Sequence, residues 1–182
     1  ARARANPHLD LGIHLPLNAE WSDYRWGPVA GRSRVPSLGD KQGYLPRTVI
    51  EVLKSARLEE VEIELRAQIN RALAAGVDVT HLDSHMGTVF FPQFFDLLAR
   101  LAADYRLPVF APSAGEDALA RRGLEKAAPL FAELKAKLGA VAVPAFDAFD
   151  DEPPQPNAST ESASTAWSFM GGKDSSGPGD AR

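Results

Sequence analysis

The sequence predicts an α/β fold in which parallel strands alternate with helices. Short apolar, β-branched runs alternate along the chain with longer segments of helical periodicity. Of the 182 residues, 45% are hydrophobic and 24% are charged, which is typical of a globular protein. Because the four expected strands are half of a (β/α) barrel, which needs roughly 250 residues, we expect a partial barrel or a small open sheet.

The first half of this domain contains one strand, one long loop and one helix. Leu9 to Leu15 alternates apolar residues and stops at Pro16, which predicts a short strand. Asn18 to about Arg57 is polar, aromatic and rich in glycine, and so long a loop inside a compact domain is typically functional. Leu58 to Ala75 predicts a helix that Gly76 can cap. Its expected apolar face comprises Val61, Leu65, Ile69, Ala72 and Leu73.

The second half repeats the alternation of strand and helix. Apolar and β-branched runs predict three further strands, and residues at helical spacing predict two helices between them. In order, these elements are a strand at Val77–Leu82, a helix at Phe91–Tyr105, a strand at Leu107–Ala111, a helix at Glu116–Leu138 broken near Gly123 and Pro129 and capped by Gly139, and a strand at Ala140–Val143.

Charge and composition divide the chain into a domain and a tail. From Asp150 to Arg182, six acids and two bases give a charge of −4, whereas residues 1–149 are formally neutral. The same 33 residues contain four Pro, four Gly and six Ser and few large aliphatic residues, so they bury too little apolar surface to offset the entropy of ordering. We therefore predict a domain at 1–149 and a disordered acidic tail at 150–182.

Composition also excludes several functional classes. The sequence contains no Cys, which removes disulfides, thiol nucleophiles and Cys-ligated zinc. No run of 18 apolar residues occurs, and the net charge is −4, so we expect neither a membrane nor a nucleic-acid partner. A polar stub with no initiator Met leads into the first strand, and we expect a chain cut from a longer, cytoplasmic protein, with a homodimer as one possible assembly.

Three of the four histidines lie at predicted strand ends. His14 closes the first strand, and His81 and His85 flank the end of the second. Because the carboxyl ends of parallel strands share one rim, His14 and His85 are expected side by side. His81, Asp83 and His85 also alternate, so one strand would direct all three to one side, and two imidazoles with a carboxylate suit zinc, iron or manganese. The alternative is that His14 and His81 are hydrogen-bonded core histidines and that Asp83 caps the next turn.

The long loop contributes a second candidate feature. It contains aromatic residues beside Arg and Glu, a combination found in sugar-binding clefts because flat rings stack on the apolar faces of pyranose rings. The same residues could instead form a packed loop cluster. They are Glu20, Trp21, Tyr24, Arg25 and Trp26.

These motifs together resemble the YdjC-like carbohydrate deacetylases. The resemblance rests on Leu11–Leu17, on Glu20–Trp21 and on Thr80–His85, and it covers roughly Asn6 to Pro112. It implies a distorted (β/α) barrel with one divalent metal ion, magnesium first and zinc second. The implied reaction removes the N-acetyl group from an amino sugar or its oligosaccharide.

Residue by residue, the resemblance implies that His14 and His85 are metal ligands. It places His81 and Asp83 beside the metal, with His81 the candidate that protonates the departing amine. Two features depart from the family pattern. The family's Asn-Ala-Asp-Asp-Phe-Gly strand, which supplies a further ligand and the base, does not occur in this sequence, and Met86–Thr88 stands where many members continue His-x-His.

Two other functions remain open on the same residues. Another metal-dependent barrel hydrolase would need more carboxylates at strand ends or a carbamylated Lys. A non-catalytic carbohydrate-binding module would use the aromatic loop alone, and its binding would survive removal of the metal.

Overall fold

The computed structural model describes residues 2–6, 8–111, 125–141, 143 and 145–147. Within these ranges, helices alternate with four strands. The α-helices are α1 (Arg2–Ala5), α2 (Val49–Ser55), α3 (Leu58–Ala74), α4 (Phe95–Tyr105) and α5 (Ala128–Ala140), and the strands are β1 (Gly12–Leu15), β2 (His81–Ser84), β3 (Val109–Ala111) and β4 (Ala145–Asp147). Short 3₁₀ turns occupy Pro36–Leu38, His85–Phe90, Pro92–Phe94 and Glu125–Ala127.

The strands form one parallel sheet in the order β1-β2-β3-β4. Gly12 lies opposite His81 and His14 lies opposite Asp83. Each strand is followed along the chain by helix before the next strand, which is the arrangement of parallel α/β folds. The predicted α/β fold class is therefore confirmed.

The two faces of the sheet differ in burial. Leu15, Leu82 and Val109 are fully buried, and the helices α3 and α4 contribute further large apolar side chains to this core. On α3 these are Val61, Leu65 and Ile69, and on α4 they are Phe95, Leu98, Leu101 and Ala102.

The opposite face of the sheet, called the open face here, contains His14, His81, Asp83 and Phe110 beside Gly12. His14 is 56% exposed and Phe110 is 37% exposed. Because side chains alternate along a strand, the apolar and the polar residues of the same strands are separated onto opposite faces.

The predicted helix at Leu58–Ala75 is present almost unchanged, but other boundaries differ. Leu73 is 43% exposed rather than buried, although it shares the helical spacing of Ile69. β1 begins at Gly12 instead of Leu9, and β2 begins at His81 instead of Val77 and ends at Ser84. The two strands start together because Gly12 pairs with His81, and pairing with a neighbour, not apolar character alone, defines a strand.

Three further expectations need correction. The long loop contains α2, which Thr48 and Glu51 start with a reciprocal capping box. α4 begins at Phe95 instead of Phe91, because the residue before Pro92 is held in an extended conformation. The strand expected at Ala140–Val143 is wrong, since α5 continues to Ala140 and β4 is Ala145–Asp147.

Other predictions fall partly on residues outside the described ranges. The start of the helix expected at Glu116 lies there, as does the tail at 150–182, so the domain division stays a prediction. Across the ranges that are described, none of the helices has the length and apolar character needed to cross a membrane.

Candidate functional site

The site begins where β1 and β2 lie side by side on the open face. His14 pairs in register with Asp83, and alternation directs both side chains to the same face. His14 Nδ1 lies 2.9 Å from Asp83 Oδ2, so the ring donates its Nδ1–H to the carboxylate. This contact leaves His14 Nε2 facing away from Asp83.

His85 completes the pair of imidazoles from the turn after β2. Its Nδ1 lies 3.0 Å from His14 Nε2, and the two rings meet edge to face at 5.1 Å between centroids. The chain reverses immediately afterwards, because Met86 and Gly87 both adopt positive φ angles, of 52° and 67°. Two residues 71 positions apart in sequence are thus adjacent in space.

The long loop adds a second carboxylate on the far side of His85. His85 Nε2 lies 2.7 Å from Glu20 Oε2. The four side chains form a line from Asp83 through His14 and His85 to Glu20, called the histidine line below. His85 and Glu20 are 15% and 26% exposed, so the Glu20 end is more enclosed than the His14 end.

The aromatic residues of the loop border the Glu20 end of the histidine line. The Trp26 ring lies 5.6 Å from the His85 ring, and the Tyr24 ring lies 6.3 Å from the Trp26 ring. Trp21 and Tyr24 are 63% and 77% exposed. The loop therefore presents two exposed flat rings in the segment that contacts His85 through Glu20 and Trp26.

Arg25 is placed differently from its aromatic neighbours. Its guanidinium donates to Asp40 and to the Leu45 carbonyl, each at 2.6 Å, and lies over the Tyr44 ring. Burial alone would raise the pKa of Asp40, but the hydrogen bonds from Arg25 and from the amides of Tyr44 and Gln42 outweigh it and lower this pKa below its ordinary value. The guanidinium of Arg25 thus binds within the loop.

His81 lies on the open face, one step before Asp83 along its side of β2. Its Nδ1 lies 3.0 Å from Thr80 Oγ1, and its ring packs against Phe110 at 5.6 Å between centroids. A Cβ atom placed on Gly12 would overlap the His81 ring, so the ring covers the β1 backbone at this point. The structure places His14 in contact with both Asp83 and His85, and it places His81 on the same face with Thr80 and Phe110 as its partners.

Two buried polar residues at the site were not singled out from the sequence. Asn18 and Thr88 are both fully buried, and Thr88 Oγ1 donates to Asn18 Oδ1 at 2.8 Å. Asn18 Nδ2 also donates to the Met86 sulfur, and Thr88 Oγ1 approaches the His85 carbonyl at 3.2 Å. The pair links the end of β1 to the turn that carries His85. The only sequence signal was a polar residue that directly follows an apolar run.

Two ring nitrogens of the histidine line, His14 Nε2 and His85 Nδ1, fit two ligand positions of a divalent metal ion. Metal-binding imidazoles donate their outer N–H to a carboxylate, as His14 does to Asp83 and His85 does to Glu20. When both rings are neutral and their outer nitrogens are protonated, the two inner nitrogens are both acceptors 3.0 Å apart, an arrangement that a shared proton or a shared metal cation relieves. Asp83 Oδ1 is also buried and has no hydrogen-bond partner among the described residues. Those residues contain no group of three or more His, Asp or Glu side chains placed to enclose an ion.

Comparison with known proteins identifies the family. The model of the YdjC-like proteins matches residues 1–174. The chain belongs to the YdjC-like family. It is 42% identical over 107 residues to a carbohydrate deacetylase of Thermus thermophilus, and the aligned region covers 59% of this chain and 39% of that protein. It is 40% identical over 110 residues to a carbohydrate deacetylase of Brevibacillus brevis, which covers 60% of this chain and 41% of that protein.

A solved structure shows the same relationship in three dimensions. The crystal structure of a candidate cellobiose-phosphate cleavage protein from Enterococcus faecalis V583 aligns with 79% of this YdjC-like chain and 48% of that chain, at a TM-score of 0.58 and 28% identity. The chain also spans about two fifths of the length of the two curated relatives. Half-coverage of a longer α/β structure agrees with the partial barrel that the sequence predicts.

Proposed function

We propose that this YdjC-like chain forms part of a metal-dependent hydrolase that removes N-acetyl groups from amino sugars or their oligosaccharides. The observation that carries the proposal is the histidine line, in which two imidazoles face each other and each is held by a carboxylate. The names of the curated relatives support a deacetylase, and the exposed rings of Trp21 and Tyr24 support a carbohydrate substrate.

In this proposal His14 Nε2 and His85 Nδ1 hold the metal ion, with magnesium first and zinc second. When bound, a divalent ion supplies Lewis-acid polarisation of the acetamide carbonyl and acidifies water. Asp83 and Glu20 accept the outer N–H of each ring, which fixes the tautomer and the orientation of both imidazoles. The two carboxylates therefore determine which ring nitrogens are available as ligands.

Proton transfer in the proposed reaction needs a base and an acid. The buried Oδ1 of Asp83, which has no partner among the described residues, is the leading base candidate within this chain. The family resemblance instead assigns the base to a paired-aspartate strand that this sequence does not contain. His81 is the candidate acid for the departing amine, because its ring shares the open face with Asp83.

Substrate binding is assigned to the loop that borders His85. Trp21 and Tyr24 expose ring faces on which a pyranose can stack, and Trp26 packs against the His85 ring from the same side. Glu20 supplies a carboxylate between these rings and the imidazoles. Arg25, which the sequence also assigns to substrate binding, contributes indirectly in this proposal. Its contacts with Asp40 and Leu45 stabilise the loop conformation that presents the aromatic rings.

A non-catalytic carbohydrate-binding module is the second candidate function, and the exposure of Trp21 and Tyr24 favours it. Chelation separates the two functions. Saccharide binding through stacked aromatic rings survives addition of EDTA, whereas acetate release by the proposed enzyme stops.

The decisive experiment measures acetate release from N-acetylglucosamine oligosaccharides by this chain joined at its amino end to a strand that ends in paired aspartates. We expect His85→Ala to lower the rate by about 10³-fold or more, because it removes a ligand of the group that polarises the amide. His8→Ala is the matched control, since His8 is an exposed histidine far from His85 in sequence and outside the histidine line. Full activity of the His85→Ala protein would refute the proposed role.

The 182-residue chain by itself should release little acetate. General acid–base catalysis is worth about 10²–10⁴-fold, and an incompletely ligated metal loses its electrostatic contribution as well. Enzyme-like turnover by this chain would instead place the base within it, with Asp83 first.

A further inference from the structure

One face of α3 carries a buried row of polar side chains that the proposed reaction does not use. Glu60, Glu64 and Gln68 are spaced four residues apart, so they lie one above another along the helix. They are 6%, 0% and 8% exposed, respectively. Charged side chains are rarely buried this completely without a specific partner, so each burial calls for an explanation.

Each member of this row, called the polar ladder here, binds a different point of the long loop. Gln68 Nε2 donates to the Pro16 carbonyl at 2.8 Å, directly after β1. The two oxygens of Glu64 accept the backbone amides of Val29 and Ala30, each at 2.8 Å.

Glu60 provides the third attachment. Its Oε2 accepts the backbone amide of Ser37 at 2.6 Å, and its Oε1 accepts from Arg57. The loop thus runs along α3 in the opposite direction to the helix, and it is attached in sequence order at Pro16, at Val29–Ala30 and at Ser37.

The first two attachments enclose the whole substrate-binding segment. Glu20, Trp21, Tyr24 and Trp26 all lie between Pro16, held by Gln68, and Val29, held by Glu64. Gln68 Nε2 also donates to Glu64 Oε1 at 2.7 Å, so the two anchors are joined to each other. One hydrogen-bonded pair on a rigid helix therefore fixes both ends of this segment.

The chemistry of Glu64 distinguishes it from an ordinary packing residue. Its carboxylate accepts three N–H groups, two of them from the backbone, and an apolar side chain of the same size would leave those donors buried without partners. Hydrogen bonds from backbone amides of the loop offset the desolvation of the buried carboxylate. Because these amides must lie next to Glu64, the interaction fixes the path of the loop.

We propose that Glu64 is a positioning residue that holds the segment from Pro16 to Ala30 so that Glu20 and Trp26 contact His85 and the exposed rings face the saccharide. The part that concerns saccharide binding rests on the proposed function. Glu64 touches neither the histidine line nor the exposed rings through any of its hydrogen bonds, so it acts through the loop.

The test compares Glu64→Gln with Glu59→Gln. Glu59 is an exposed acid on the same helix, so the control removes the same charge. The carboxamide that Glu64→Gln introduces would retain one acceptor oxygen but turn an NH₂ group toward a backbone N–H. One readout is the nuclear Overhauser effect between the Trp26 and His85 rings, which are 5.6 Å apart between centroids. The second readout is the dissociation constant for the N-acetylglucosamine trisaccharide.

We expect Glu64→Gln to lose the Trp26–His85 Overhauser effect and to weaken trisaccharide binding by about tenfold, because the loop must be ordered anew on binding. Glu59→Gln should change neither readout. An unchanged Overhauser effect overturns the proposal, and so does its loss with unchanged trisaccharide affinity.

Two further outcomes are covered by the same design. If the wild-type chain binds no trisaccharide, the proposed saccharide-binding role of the loop fails, and the Overhauser effect alone decides whether Glu64 positions the loop. If Glu64→Gln does not fold, Glu64→Asp retains the charge with a shorter reach, and it should retain the fold while weakening both readouts. A Glu64→Asp protein that matches the wild type in both would contradict the proposal.

Discussion

The histidine line and the polar ladder are both rows of polar side chains, but they are bonded in opposite ways. In the histidine line, side chains bind side chains: Asp83, His14, His85 and Glu20 contact one another, and His14 is 56% exposed. In the polar ladder, buried side chains bind the backbone of the loop.

The two regions also differ in which buried polar atoms have a hydrogen-bond partner. Both carboxylates of the ladder have all their oxygens hydrogen-bonded. At the histidine line, Asp83 Oδ1 and the nearby Trp26 Nε1 are buried and have no partner among the described residues. Of the ladder's side-chain atoms, Gln68 Oε1 is also buried without a partner among the described residues. The fully bonded carboxylates contribute rigidity, whereas the unpaired atoms at the histidine line are available to a ligand.

The largest expected effect is on the stability contributed by the ladder. Glu64→Ala leaves the amides of Val29 and Ala30 and the Gln68 amide without their acceptor. Since Glu64 is fully buried, and each donor left unpaired in a buried position costs about 1–3 kcal/mol, we expect the free energy of unfolding to fall by about 3 kcal/mol in urea titrations. The exposed control Glu59→Ala should stay within about 0.5 kcal/mol of the wild type. A small loss in Glu64→Ala would remove the distinction between the two regions.

The next effect is a pH dependence at Glu60. Burial alone would raise the pKa of Glu60, but hydrogen bonds from Ser37 and Arg57 outweigh burial and hold the pKa below its ordinary value. Such a group stabilises the fold fully above its unfolded pKa of about 4.3, and this stabilisation is lost as the pH falls through the folded pKa. We therefore expect Glu60→Gln to be less stable by about 1.5–3 kcal/mol at pH 7, with the difference shrinking in acid. A difference that grows in acid, below the unfolded pKa of about 4.3, would contradict the assignment.

A third effect tests the open face beside the histidine line. In Gly12→Ala, the new Cβ atom would overlap the His81 ring, so the ring must move. Overpacking of this kind costs about 1–3 kcal/mol, which thermal unfolding can measure. Because the clash is with a side chain, removal of the His81 ring should relieve it. The double variant Gly12→Ala/His81→Ala should therefore be nearly as stable as the single variant His81→Ala. If it is instead much less stable, the strain lies in the β1 backbone.

The smallest effect is expected within the histidine line. Since His14 is more than half exposed and its ion pair with Asp83 is partly solvated, His14→Ala should change the free energy of unfolding by less than about 1 kcal/mol. The wild-type chain should bind zinc weakly, as measured by calorimetry, and the same variant should weaken this binding further, whereas His8→Ala should leave it unchanged. A large loss of stability in His14→Ala would show that the line is structural after all.

Reasoning from strand ends predicted the placement of the histidines well. His14 and His85 were expected at one rim because parallel strands end together, and their inner nitrogens are 3.0 Å apart. His81 was grouped with them by alternation, but the same alternation places it one step further back, against Gly12 and Phe110. Spacing along a strand predicts which face of the sheet a side chain lies on, but it does not predict which side chains it contacts.

The polar ladder could not have been predicted in the same way. Glu60 and Glu64 belong to an acid-rich first half of α3, a pattern that ordinarily marks a solvated surface and a favourable helix dipole. Glu59 follows that expectation and is exposed, whereas Glu60 and Glu64 are buried. The difference arises from the loop that covers one side of the helix, and no local pattern in α3 encodes where that loop lies.

The sequence by itself determined the α/β class, the helix at Leu58–Ala74 and the residue types at the strand ends, because periodicity and strand order are local or topological properties. Tertiary structure alone decided which strand ends became neighbours in register, that Glu20 reached His85, and that Glu64 was buried. Those outcomes depend on contacts between segments tens of residues apart, and a hydrogen bond forms only where folding brings its donor and acceptor within about 3 Å.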